Sequence, residues 1–418
     1  MKANLQNDTL SEWLNYLESK PWFFEDDTGP NRVKKIAQQL GCLDFDVPII
    51  TVAGTNGKGT TVAALESFYT GQGYSTGSFT SPHILKFNER IRLNKKPVND
   101  ALLCQALDAV EQHAIYSLRY FDYVLLAALW IFQDKKPDII FLEVGLGGLL
   151  DATNAVDADV SIITSIDLDH MDVLGGTREE IASHKAGIMR KGKTTICGDR
   201  LPPSTLTGNA AKLRAPLELI GKDFDYFQKE NQWCFESKLY DSVSTPVMAL
   251  IPENIACALQ AVYILSTRLP IRSQQLAIDI QNIQVAGRCE IIHREQTWVF
   301  DVAHNPVAVK HLARQIKRLT YERCFALFSM HKDKQLESCI IPLIDIVQHW
   351  YVAPLHSYKG ANEKVLVEAF KKQGLTQVSI KETVASAYRV LSSILQPEDL
   401  VICYGSFETL SQVMQHIE

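Results

Sequence analysis

Long apolar runs are missing from this chain. The longest, Val124-Leu125-Leu126-Ala127-Ala128-Leu129-Trp130-Ile131-Phe132, is less than half of the roughly 20 residues a spanning helix needs, so no membrane span is expected and the run reads as part of a buried helix. The segment Met1–Pro21 carries Lys2, Asp8, Glu12, Glu18 and Lys20 and lacks the zones of a secretory signal; the expected compartment is the cytoplasm. Cysteine occurs nine times, an odd number without any C-x-x-C pair, which argues against a zinc ribbon or a dithiol redox centre. A basic excess is also lacking: 42 Lys and Arg against 48 Asp and Glu give a net charge of −6, the wrong sign for a phosphate backbone, and nucleic acid is not an expected partner. With 22 Gly and 16 Pro in 418 residues, fibrous and low-complexity classes are excluded too.

What is present is an ordinary globular composition, 46% hydrophobic and 22% charged, in a chain too long for one core. Short β-branched runs alternate with helical patterns, the mark of an α/β fold with a mostly parallel sheet. Strands are expected near Pro48–Ala53, Asp138–Val144 and Asp159–Ile166, then at Thr297–Asp301, Arg323–Phe328, Trp350–Ala353 and Leu400–Tyr404. Helices are expected at Lys58–Gly71, Thr177–Met189, Asn305–Leu319 and Lys381–Leu395, and a β-ribbon within Lys222–Pro252 before the amphipathic stretch Asn254–Leu269. The pattern breaks at Val285-Ala286-Gly287-Arg288, which divides the chain into domains 1–286 and 287–418.

The sharpest motif is Gly54-Thr55-Asn56-Gly57-Lys58-Gly59-Thr60, a glycine-rich loop between a strand and a helix. Such a loop turns backbone N–H groups toward phosphate oxygens, its lysine reaches the outer phosphates, and a following hydroxyl ligates Mg²⁺. The spacing departs from the usual phosphate loop because Gly59 separates Lys58 from Thr60. Downstream, Glu143 ends a buried strand before Gly145-Leu146-Gly147-Gly148, the position from which an acid holds Mg²⁺ beside a nucleotide. Asp167, Asp169, His170 and Asp172 follow a third strand; Lys185 lies on a helix with Ile181 and Ile188; Asp301 and His304 lie just before the capping pair Asn305-Pro306.

Taken in order with Thr80-Ser81-Pro82-His83, Glu89-Arg90-Ile91, Asp151-Ala152-Thr153-Asn154, Leu174-Gly175, Lys185-Ala186-Gly187-Ile188 and Gly287-Arg288, these segments resemble the Mur ligase superfamily, in its folylpolyglutamate synthase and dihydrofolate synthase branch. The resemblance implies a two-domain fold, a P-loop ATPase domain that also binds the pterin and a smaller Rossmann-like domain that binds glutamate. It implies ligation: ATP phosphorylates a carboxylate of dihydropteroate or folate, and L-glutamate displaces the phosphate. By the same resemblance, Gly54, Thr55, Asn56, Gly57, Lys58, Gly59, Thr60, Asn254, Arg288 and Asp301 contact ATP. Two Mg²⁺ sites draw on Thr60, Ser81, Glu143, His170 and Lys185, the last matching a lysine that the family carbamylates, and K⁺ is a further cation. Arg32, Pro82, His83, Phe121, Asp151 and Ala152, with His304 and Ser406, fall to the substrates. A monomer acting on small molecules is implied.

The match has gaps. The family usually has Arg after the paired glycines, where this chain has Leu149; His184 replaces the usual Glu before the lysine; and in the loop Phe23–Arg32 and just after it only Gly29, Arg32 and Val33 align. A ligase for a different carboxylate, or a nucleotide-binding regulator without turnover, therefore stays open from sequence alone.

Overall fold

The computed structural model describes residues 9–20 and 29–417; Phe23–Thr28 of the loop ending in Arg32 lie outside the described residues. The chain divides into two compact units, one holding the residues up to His83 together with Phe87–Ile283, the other Ile84–Lys86 and the chain from Gln284 onward. The sequence pattern puts the change at Gly287, three residues later. It gives no sign of the detour at Ile84–Lys86, whose Ile84 is buried with Trp298, Val302 and Leu410 in the core of the second unit. One inserted side chain has no periodicity to betray it.

In the first unit, strands β1 (Ile49–Ala53), β2 (Thr76–Phe79), β3 (Ile91–Leu93), β4 (Lys96–Pro97), β5 (Ile139–Glu143), β6 (Val160–Ile163), β7 (Thr194–Cys197) and β8 (Leu217–Leu219) form one sheet ordered β4-β3-β2-β5-β1-β6-β7-β8. Its pairs are parallel except those of β3 with β2 and β4. The central strands β1 and β5 are buried at every residue, as expected of strands covered on both faces and written in unbroken apolar residues. The helix Lys58–Gly71 follows β1 and is itself buried along most of its length, packed against the helices Pro252–Ile264 and Ser273–Gln281. Strands β9 (Phe224–Lys229), β10 (Gln232–Ser237) and β11 (Val243–Pro246) make a separate antiparallel sheet, the ribbon read from the sequence.

The second unit carries β12 (Glu290–His293), β13 (Thr297–Asp301), β14 (Cys324–Phe328), β15 (His349–Val352), β16 (Val378–Ile380) and β17 (Leu400–Tyr404). They are ordered β12-β13-β17-β14-β15-β16, and only the β12–β13 pair is antiparallel. The register pairs Asp301 with Tyr404, so the loops leaving β13 and β17 share one edge. Each of these two loops runs into a helix, Pro306–Ile316 and Phe407–Ile417, the α/β arrangement in which ligands collect at strand C-termini.

Candidate active site

The loop after β1 is clamped onto the end of β6. Thr55 donates its N–H to the Ser165 carbonyl at 2.9 Å, Asn56 donates to Ser165 Oγ at 3.0 Å, and Thr164 Oγ1 donates to the Asn56 carbonyl at 2.6 Å. Two glycines are obligatory here. A Cβ on Gly54 would lie 1.8 Å from Thr164 Oγ1, and Gly57, at φ +87°, would put one 2.1 Å from Asn254 Oδ1. Gly57 starts the helix Lys58–Gly71 in the left-handed region without a side-chain cap, which leaves first-turn N–H groups available to an anion. Lys58 Nζ is folded back on the Gly54 carbonyl at 3.0 Å. Asn254, 4% exposed, leaves its Nδ2 without a protein partner beside the loop.

Glu143, nearly fully buried, accepts the Ser81 N–H on Oε2 at 3.2 Å. The same oxygen lies 3.6 Å from where a Cβ on Gly59 would stand, so acid, hydroxyl turn and phosphate-type loop meet at one sheet edge. Thr60 is buried in the first turn of the helix. Among the described residues no three His, Cys, Asp or Glu side chains group tightly enough to cage an ion. That donor set suits a magnesium ion, which is held through one or two carboxylates plus phosphate oxygens and water. It does not suit a metal bound by protein alone.

A cleft of about 320 Å³ opens beside the loop, lined by Gly54, Thr55 and Lys58, by Val144 to Gly147, and by Asp169, His170, Leu174 and Lys185. Three residues singled out in sequence, Lys58, His170 and Lys185, thus meet in space. His170 sits at φ +51° with its N–H on Asp169 Oδ1 at 2.9 Å. Lys185 is 3% exposed; burial first and the Lys58 charge second push its amine down to about 7, with Asp169 pulling the other way. The Gly148–Leu149 segment holds the lysine helix Arg178–Ala186 in place: Leu149 N–H donates to the His184 carbonyl at 2.8 Å, and a Cβ on Gly187 would lie 2.4 Å from Leu149 Cα.

The residues expected to meet an acceptor lie around this edge. Asp151, buried, accepts from Leu146 N–H at 2.9 Å and from Thr153 N–H at 3.0 Å and Oγ1 at 2.6 Å; it caps the short turn Ala152–Ala155 and shapes the glycine loop that lines the cleft. Phe121 packs on Gly145, where a Cβ would come within 2.7 Å of its ring. Arg32 approaches Asp122 at 3.7 Å, and a second depression of about 630 Å³ is lined by Pro30, Asn31, Lys34, Leu149, Leu150, Asn154 and Ala155. Pro82 is exposed. His83 accepts the Arg90 Nε–H on Nδ1 at 2.9 Å, and burial with the Arg90 charge pushes its pKa down to about 4.

In the second unit, Asp301 is buried and accepts the N–H groups of Cys289 at 2.9 Å and Ala303 at 2.8 Å. Burial raises its pKa, while the Arg288 charge opposes that. His304 points Nδ1 at the Val302 carbonyl, 2.8 Å away, which requires a proton on Nδ1. Asn305 caps the next helix, accepting Ala308 N–H, with Pro306 in its first turn. Ser406 is also a cap: it accepts Thr409 N–H at 3.0 Å, and because Thr409 Oγ1 gives its proton to Ser329, the Ser406 proton goes to Thr409 Oγ1. Sequence reading assigned no role to Asp169, Ser165 or Arg90. The first two were visible as a polar cluster after a strand; the third had only its motif.

A dense loop for phosphate, a buried strand-end acid and a buried near-neutral lysine, on a parallel sheet joined to a second α/β unit, define the class of nucleotide-dependent ligases. Residues 52–201 match the Mur ligase middle domain and residues 287–407 the Mur ligase glutamate ligase domain. The dihydrofolate synthase/folylpolyglutamate synthase of Escherichia coli strain K12 is 37% identical, over 98% of this chain and 96% of that protein. A solved structure of E. coli FolC in complex with DHPP and ADP superposes with a TM-score of 0.90 at 36% identity, covering 98% of this chain and 97% of that one. A bifunctional folylpolyglutamate synthase/dihydrofolate synthase solved with Mn, AMPPNP and L-glutamate gives 0.89 at 34% identity, with 98% of each chain covered. The chain belongs to the Mur ligase family, in its dihydrofolate synthase/folylpolyglutamate synthase branch.

Proposed function

We propose that this chain is an ATP-dependent ligase that adds L-glutamate to 7,8-dihydropteroate and to the γ-carboxylate of tetrahydrofolates through an acyl phosphate. The observation that carries the reading is the convergence of Lys58, His170 and Lys185 on one cleft beside the glycine loop. A carboxylate is a poor electrophile until phosphorylation gives it a leaving group, and phosphoryl transfer asks the protein for positioning and charge compensation rather than covalent help. Lys58 and the N–H groups of Gly57 to Thr60 hold the outer phosphates, while Asn254 brings its unpartnered Nδ2 to the same nucleotide. Glu143, Ser81 and Thr60 are the residues that would hold one Mg²⁺, which supplies neutralisation of phosphate charge when bound.

Lys185 is the residue that would receive CO₂, because an amine held near 7 is unprotonated, and so nucleophilic, in a large fraction of molecules at neutral pH. The carbamate turns a buried cation into an anion beside His170, and that pair would hold the second Mg²⁺. Asp151 acts by positioning, through the Leu146 and Thr153 groups it binds. In the second unit Arg288 and Asp301 serve the nucleotide, and His304 with the Gly405–Ser406 turn serves L-glutamate. All nine cysteines are free thiols, which supports a reducing, cytoplasmic setting; among the described residues no helix is long and apolar enough to cross a membrane. We read the enzyme as a monomer acting on small molecules.

The test is phosphate release with ATP, Mg²⁺ and L-glutamate, with 7,8-dihydropteroate or a tetrahydrofolate in separate tubes and product masses measured. Addition of one glutamyl unit to each acceptor is expected. Silence with both, alongside measurable ATP binding, overturns the acceptor assignment.

A further inference from the structure

Arg90 is a buried cation that the protein only half accommodates. Its residue is 8% exposed, and its guanidinium carbon lies 5.6 Å from the Phe87 ring centre and 5.5 Å from that of Tyr120. Nε donates to His83 Nδ1 at 2.9 Å. That is the one hydrogen bond of its side chain among the described residues, and no carboxylate forms an ion pair with it there. Of its five N–H donors, only Nε–H meets a protein acceptor; Nη1 and Nη2 are not among the buried unpartnered atoms and so stay open to water or to an incoming anion. Ring faces attract a guanidinium, but by less than a paired anion does. Such a group persists where an anion completes it, and a planar fork is suited to take a carboxylate by two parallel bonds.

The position says which anion. The Arg90 carbonyl accepts the N–H of Thr80 at 2.9 Å, which ties it to the residue before Ser81. The charge of Glu143 is close enough to act on it. His83 cannot compete for the role: an acceptor Nδ1 fixes the ring proton on Nε2, so the imidazole is a neutral group that orients the guanidinium. Phe87, Phe79 and Phe121 supply flat apolar surface nearby, with Phe87 edge-on to Tyr120 at 6.1 Å and Phe79 edge-on to Phe121 at 5.3 Å. An aryl carboxylate fits a cation set among rings better than a polyphosphate does.

We infer that Arg90 binds the carboxylate of the aryl acyl acceptor, with His83 as its positioning residue. The inference deepens the ligase reading and rests on it for the identity of the acceptor. It is tested with full-length wild type, Arg90→Gln and Arg90→Lys. The measurements are KM for 7,8-dihydropteroate, ATP and L-glutamate, and equilibrium binding of dihydropteroate against its primary carboxamide. Loss of a charged hydrogen-bonded pair predicts a rise in dihydropteroate KM of about 10- to 100-fold for Arg90→Gln, with the KM for ATP and L-glutamate unchanged. Wild type should prefer acid over amide, and Arg90→Gln should bind the two alike, a change that a merely structural arginine would not produce. Arg90→Lys, which keeps the charge and loses the fork, should fall between, and it carries the test if the glutamine variant does not fold. A preference for the acid that survives in both variants, or a KM rise on ATP or L-glutamate instead, overturns the inference. A wild type without turnover that still prefers the acid through Arg90 removes the ligase reading alone; a wild type that binds neither compound removes both.

Discussion

Lys58 and Lys185 line the same cleft, and the charge of the first joins burial in holding the amine of the second near 7. Two lysines in one site would repel if both stayed charged. Here the buried one gives way, and a proton leaves a group that is otherwise cationic at neutral pH.

The sign of the consequence is fixed. A lysine whose pKa falls from 10.5 to about 7 on folding binds fewer protons in the native state than in the unfolded one between those values. Stability therefore rises with pH across that window. In CO₂-free buffer, Lys185→Met should resist denaturant better than wild type at and below pH 7, and the advantage should shrink toward pH 10. A constant difference across the range would mean that Lys185 titrates normally. With ¹³C-labelled bicarbonate, a carbamate resonance should appear in wild type, weaken as pH drops below 7, and be missing from the variant, whose ligase activity should be lost.

Lys58→Met removes the loop's own cation, whose Nζ donates to the Gly54 carbonyl. That hydrogen bond is worth about 1 kcal/mol to the fold. Turnover, measured as phosphate release, should fall by about 100- to 1,000-fold, the scale for removing one fixed electrostatic partner of a transition state. Activity near wild type would exclude Lys58 from phosphate binding.

Gly57→Ala should cost about 1–3 kcal/mol for a left-handed position and in addition drive Cβ into Asn254 Oδ1. ATP affinity should drop with it. Asn254→Ala removes the obstacle, so the double variant should recover part of the loss in thermal denaturation, a coupling that two independent sites would not show.

How much of this was legible beforehand depended on whether a signal was local. The Lys58–Gly71 helix and the strands Thr297–Asp301 and Leu400–Tyr404 lie where the sequence pattern puts them, because apolar runs and the loop or capping residues that bound them are read over a few residues. The strands Ile91–Leu93 and Lys96–Pro97 are too short for any period to register. The cleft residues were legible as motifs, but their meeting depends on β1 lying between β5 and β6, which sets residues about 90 and 110 positions apart side by side. Ser406 reads as a candidate ligand in sequence; that its proton is spent on Thr409 is set by the Ser329 carbonyl, which lies on another strand's loop. Arg90 is legible in sequence only as part of the Glu89-Arg90-Ile91 motif; that Phe87 and Tyr120 flank its guanidinium is set by the fold.

Two glycines, one at a helix C-cap and one inside a helix, should respond to alanine with opposite signs. Gly187, next to the lysine helix, has the Leu149 backbone against it, with Cα 2.4 Å and N 2.8 Å from a built Cβ; backbone cannot step aside as a side-chain tip can. Gly187→Ala should therefore lift Leu149 away, break its bond to the His184 carbonyl and cost about 1–3 kcal/mol. Because the same helix carries Lys185, phosphate release should fall as well. Gly208, within the helix Ser204–Leu213, faces open space, and Gly208→Ala should stabilise by roughly 0.5–1 kcal/mol through helix propensity with turnover unchanged. Thermal melts and phosphate release on the two variants decide the point. Equal stability changes would mean that the Leu149 contact does not constrain the lysine helix, and a fall in melting temperature for Gly187→Ala with full activity would mean that Lys185 is positioned from elsewhere.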